Sequence, residues 1–143
     1  MKTVLLFGCA LTAAIASVAV AAPASAPASA PASAPSGDAI RWLALVDKGD
    51  YAHSWRDAGE LFRSHITEAD WARQVEPVRK PLGAVVSRKL QSDQEAHNLP
   101  GAPAGDYDIA KFDTVFAGKQ AVVETLVLRR GTAGWKVEGY FIK

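Results

Sequence analysis

The sequence predicts an α+β domain in which N-terminal helices pack on a curved antiparallel sheet of about four strands. Three observations lead there. Between Asp38 and Val78 apolar residues recur at helical spacing, and from Ala84 onward the period shortens to that of strands. The last three apolar runs are joined by turns of a few residues, a connection available to antiparallel neighbours and not to parallel ones. A chain of 143 residues has room for one such domain with appendages.

The appendages come first. Lys2 precedes Thr3 to Val20, an uncharged stretch rich in Ala, Leu and Val, and Ala19-Val20-Ala21 supplies the small-x-small pattern of a signal-peptidase site. Residues 1–21 are therefore expected to be a cleaved signal peptide, placing the protein in the periplasm or the medium. Because that run is Ala-rich and at the lower length limit for crossing a bilayer, no membrane span is expected after cleavage. Leu6-Phe7-Gly8-Cys9 has the outline of a lipoprotein box, but Val4 to Gly8 is shorter than a signal core needs. Cys9 is the single cysteine of the chain. Its loss with the signal excludes a disulfide, a Cys-ligated zinc and a thiol nucleophile from the mature protein. From Pro23 to Ser36 every residue is Pro, Ala or Ser, none large enough to repay the entropy of ordering, so residues 22–36 read as an extended solvated linker.

The folded unit is then residues 37–143. Asp38 is expected to cap a short helix carrying Ile40, Leu43 and Val46, which Asp47-Lys48-Gly49-Asp50 breaks. Asp50 caps the next helix, with Tyr51, Trp55, Ala58 and Phe62 on one continuous face. Thr67 and Asp70 have capping-box spacing ahead of a third helix presenting Trp71, Val75 and Val78, which Pro77 and Pro81 are expected to end. Ala84 to Gln91 reads as a first strand, and His97 to Gly105, where Gly and Pro alternate, as an exposed loop. Strands at 106–116, 120–130 and 135–142 follow, turning at Gly118-Lys119 and Arg130 to Gly134, so that they form a meander. In the first of them Tyr107 and Ile109 are out of phase with Phe112, Thr114 and Phe116, which predicts a bulge near Ala110-Lys111.

Four separated motifs carry a resemblance. Trp42 with Asp47-Lys48-Gly49-Asp50-Tyr51 and Ser54-Trp55, then Arg79-Lys80-Pro81-Leu82-Gly83, then Pro100-Gly101 with Gly105-Asp106-Tyr107, and last Trp135 to Ile142, resemble the bacterial domain of unknown function 4019. That likeness spans nearly all of residues 37–143 and implies no chemistry. The order of elements is also similar to the nuclear-transport-factor-two-like, or cystatin-like, fold, which implies a cone of helices closing over the sheet. Fold likeness alone transfers no function.

The candidate site residues are Tyr51, Arg79, Arg88, Glu124 and Tyr140. Glu124 interrupts the apolar run Val122 to Leu126; on the phase of Val122 and Leu126 it would point into the core, either as an acid/base or ligand-binding carboxylate or paired with Arg88 across the sheet. Arg79 and Arg88 flank Pro81-Leu82-Gly83, where a guanidinium could clamp a carboxylate. Tyr51, Trp55, Trp71 and Tyr140 could line an apolar pocket, although the helical stripes already explain Trp55 and Trp71 as core. His53, His65 and His97 are too scattered to predict a metal site, and Ser54 and Ser87 lack the context of a hydrolase nucleophile. Neither a catalytic residue nor a cofactor is assigned.

Charge bears on partners. Of 16 basic and 15 acidic residues, Lys2 alone lies in the signal, so the mature chain is balanced and lacks the basic surplus of a nucleic-acid binder. The expected function is non-enzymatic binding of a small ligand or an envelope protein. The alternatives are an isomerase, dehydratase or hydrolase using Glu124 as base with Tyr140 or Tyr51 as donor, and a purely structural envelope module.

Overall fold

In the computed structural model, which describes residues 34–143, four helices precede four strands. The expected signal peptide and most of the expected linker lie outside the described residues. Helix α1 (Pro35–Asp47) opens on Pro35, whose fixed φ suits a first helical turn, so Pro35 and Ser36 belong to the helix and not to the linker. Its buried face is Ala39, Trp42, Leu43 and Val46, while Ile40 is exposed, one position off the expected stripe. Asp38 lies inside the helix and does not cap it. Its carboxylate accepts from the Trp135 amide at 2.8 Å and from Arg41, fastening α1 to the far end of the sheet.

Asp50 caps α2 (Tyr51–Asp57) as expected, accepting from the His53 amide. The single helix expected from Tyr51 to Phe62 is instead two, because Gly59 leaves the helix to donate to the Val137 carbonyl at 2.8 Å. Helix α3 (Glu60–His65) restarts there with Glu138 accepting from the Phe62 amide at 2.8 Å. Thr67 caps α4 (Glu68–Arg79), accepting from the Asp70 amide and donating to its carboxylate. Pro77 sits inside α4 without ending it; the stop comes in the 3-10 turn Lys80–Leu82 and at Gly83, whose φ of 74° suits glycine. The buried stripe of α4 is Trp71, Val75 and Arg79, and Val78 faces out.

Strands β1 (Val85–His97), β2 (Asp106–Phe116), β3 (Lys119–Gly131) and β4 (Gly134–Ile142) form one antiparallel sheet in the order β1-β2-β3-β4, open at both edges. Strand β1 runs on to His97, well past the expected Gln91. The bulge expected in β2 is absent there, since β2 and β3 stay in register from Tyr107 to Thr114. An extra residue sits instead on β1, at Gln91 between the pairs Leu90–Phe112 and Ser92–Lys111. Tyr107 and Ile109 misled because both point to the outer face. Tyr107 is buried there by donating to the Pro103 carbonyl at 2.6 Å beneath Arg129. The inner phase of β2 is Asp108, Ala110, Phe112, Thr114 and Phe116. The bulge opposite Val127 and Leu128 makes Glu138 the unpaired residue of β4, which turns its side chain toward α3.

Helix α1 packs across all four strands. Trp42 occupies the centre of the resulting core, edge-on to Phe62 and Tyr140 and 5.8 Å from Trp71. Its indole N–H donates to the Ser54 carbonyl, and that of Trp71 to the Ser54 hydroxyl, so Ser54 serves two buried tryptophans. No described helix is long and apolar enough to cross a membrane.

Candidate functional site

Beside this aromatic core lies a cluster of charged side chains. The phase of β3 puts Val122, Glu124, Leu126 and Leu128 on the buried face, so the Glu124 carboxylate is 0% exposed. A buried charge must be paired to be tolerated, and four donors converge on it. Arg79 (3.0 Å) and the Tyr140 hydroxyl (2.6 Å) donate to Oε1; Arg88 (2.7 Å) and the Thr114 hydroxyl (2.6 Å) donate to Oε2. Each donor is delivered by its element's periodicity. Arg79 falls two helical turns beyond Trp71 on the same stripe, Arg88 lies opposite Thr114 in the ladder, and Tyr140 lies opposite Leu126.

Both guanidiniums also reach Asp47, the last residue of α1. Arg88 makes two bonds to it, at 2.8 and 3.0 Å, and Arg79 a third. Two cations and two carboxylates thus form one charge-balanced network, with Phe116 beneath Arg79 at 4.6 Å from ring centre to guanidinium carbon. Burial works against the Arg88 charge, but hydrogen bonds to Asp47 and Glu124 and their charges outweigh it and raise its pKa. Burial, reinforced by the negative charge and hydrogen bond of Glu124, raises the Tyr140 pKa, so the phenol stays a donor.

Asp47, with 23% of its side chain exposed, is where the network meets solvent. It walls an open cleft of about 350 Å³ together with Lys48, Tyr51, Glu76, Arg79 and Lys80. A second, more apolar feature runs between α4 and the edge strand β4. It consists of two adjoining grooves of about 380 and 310 Å³ that share Trp71, Gln74, Tyr140 and Phe141, the last 56% exposed. Val123 and Lys143 exchange both backbone bonds, so by alternation the backbone groups of Tyr140 and Ile142 point away from β3 along this groove.

Of the five residues predicted from sequence, the fold brings Arg79, Arg88, Glu124 and Tyr140 into contact. Tyr51 makes no bond to the network but lines the same cleft as Asp47 and Arg79. Sequence reasoning missed Asp47 and Thr114. Asp47 reads as part of a helix-breaking run, while Thr114 carries a usable signal, being a polar residue on the phase of Phe112 and Phe116. His53 and His97 each have a carboxylate neighbour, Asp50 and Asp106, at 2.7 and 2.6 Å. Among the described residues no group of three or more His, Cys, Asp or Glu is placed to hold a metal ion.

Fold and site together define a helix-on-sheet α+β domain organised around a buried, neutral network of charged side chains. Residues 38–140 match the family described as protein of unknown function DUF4019, and the chain belongs to that family. No curated protein and no solved structure matches it, so the likeness to the nuclear-transport-factor-two-like cone rests on element order alone.

Proposed function

We propose that the chain is exported, loses residues 1–21, and works in the periplasm or outside the cell as a binding domain and not as an enzyme. The observation that carries the non-enzymatic part of this reading is the occupancy of Glu124. Both of its oxygens are claimed by four donors at 3.0 Å or less, two of them cationic. A general base needs a free lone pair and a raised proton affinity, and this carboxylate is denied the first. None of the three clefts described above is lined by Glu124. A small polar ligand would bind in the cleft of Asp47, Tyr51 and Lys80, where the network fixes Asp47 and Arg79 in place from behind.

A protein partner is the second reading, favoured by the groove beside β4, where exposed Phe141 and an open strand edge lie together. Two measurements test the proposal. Intact-mass analysis of the envelope fraction is expected to show a chain beginning at about Ala22; a mass retaining Met1 or a lipid on Cys9 overturns cleavage after Ala21. A thermal-shift screen of small polar compounds is expected to yield a stabilising ligand whose effect is lost in Tyr51→Ala. Chemical conversion of such a compound by the wild type would overturn the non-enzymatic reading.

A further inference from the structure

Of the two buried carboxylates outside the network, Asp38 and Asp108, only Asp38 is hydrogen-bonded. Asp108, on the inner phase of β2, is 0% exposed, and neither of its carboxylate oxygens has a hydrogen-bond partner. What faces it is acidic. In the β1 ladder Glu95 lies directly opposite, and Asp93 lies opposite Ala110, the neighbouring inner position. On β3 the facing residue is Leu128, with Arg130 one inner position on, over the Trp135 ring. Helix α1 offers Asp38 and Arg41, which are bound to each other and to the Trp135 amide, and Asp106 is engaged by His97. No described cation bonds to Asp108.

A carboxylate in such an enclosure, beside two others, has one economical way to be satisfied: one proton held between two carboxyl groups. We propose that Asp93 and Asp108 share a proton, and that this pair is an acid-closed latch holding the distal half of β1, Ser92 to His97, on β2. The location suits a latch. Strand β1 is an edge strand, its distal half is set off by the bulge at Gln91, and it runs directly into the loop that follows His97. Burial first, then the neighbouring Asp93 carboxyl and the charge of Glu95, push the Asp108 carboxyl up to about 7.

The direction follows from linkage. The folded chain binds this proton more tightly than the unfolded chain, whose aspartates titrate near ~3.9. The stabilisation is therefore full at or below that pH and is lost as pH rises through about 7, where the two carboxylates repel and the latch opens.

Amide hydrogen exchange on the full chain tests this, read as protection factors so that the intrinsic pH dependence cancels. Amides from Ser92 to His97 are expected to lose about tenfold or more in protection between about pH 5.5 and about pH 8, relative to those of α1, and Asp108→Asn is expected to abolish the difference. Should that variant fail to fold, Asp93→Asn is expected to lower the Asp108 titration midpoint, followed by the side-chain carboxyl carbon in NMR. Equal protection at both pH values, or an Asp108 midpoint in the ordinary carboxylate range, overturns the proposal. So does recovery of protection at the higher pH on adding calcium ions, which would make the cluster a cation site instead of a proton latch.

Discussion

Replacing Glu124 by glutamine keeps the shape of the side chain and removes half of its accepting capacity. Whichever way the amide turns, its N–H groups face one guanidinium and one hydroxyl, either Arg79 and Tyr140 or Arg88 and Thr114; the hydroxyl can turn to accept, and the guanidinium is the stranded donor. Each stranded buried donor costs roughly 1–3 kcal/mol, and removing one partner from a buried ionic cluster costs roughly 3–5 kcal/mol. Here Asp47 still holds both guanidiniums from its partly exposed position, which places the expected loss at the lower end, about 3 kcal/mol. For a domain of this size that lowers the urea midpoint by about 1.5 M, taking a slope of roughly 2 kcal/mol per molar. Urea unfolding at neutral pH, followed by the fluorescence of the buried Trp42 and Trp71, reads the change directly. In an Arg88→Met background the same substitution is expected to cost less than half as much, because one stranded donor is gone. A Glu124→Gln protein as stable as the wild type, or strict additivity with Arg88→Met, would refute the account of this network as a structural unit and return Glu124 to consideration as a functional carboxylate.

Other positions make sharper local demands. A methyl group at Gly59 would stand 2.2 Å from the Glu138 carboxylate, so Gly59→Ala is expected to push Glu138 off the Phe62 amide and cost about 1 kcal/mol, as a lost helix cap does. Combining it with Glu138→Ala, which removes the same bond, should cost clearly less than the sum in denaturant unfolding. Asp38→Ala leaves the buried Trp135 amide without its acceptor and is expected to lose about 2 kcal/mol; an unchanged midpoint would mean that another acceptor replaces it. At Gly118 an added Cβ would lie 2.5 Å from the Pro81 carbonyl oxygen, a backbone atom that cannot swing aside, so Gly118→Ala should destabilise by about 2 kcal/mol. Gly37→Ala, in the first turn of α1 with nothing within 4 Å, is expected to raise the thermal midpoint by a few degrees, about 0.5–1 kcal/mol.

What the sequence by itself determined is local: the change from helical to strand periodicity, the caps at Asp50 and Thr67, and the strands from 106 to 142 with their turns, while the phase of Glu124 stayed open. Each depends on a few neighbouring residues, so the information needed lies within a short window of sequence. Even the membership of four of the five candidate residues in one cluster was within reach, because charged residues on buried phases must find one another. Tertiary structure decided the rest, and each difference has a specific long-range partner. Helices α2 and α3 are separate because the Val137 carbonyl claims the Gly59 amide, a bond between residues far apart in the chain. Asp38 serves the Trp135 amide instead of capping α1, and the outward phase of Tyr107 is hidden by its bond to Pro103, so neither spacing reveals its use. Asp47 became a site residue, and Asp108 a buried carboxyl, through register and helix placement, since their burial and partners depend on what the rest of the fold sets beside them.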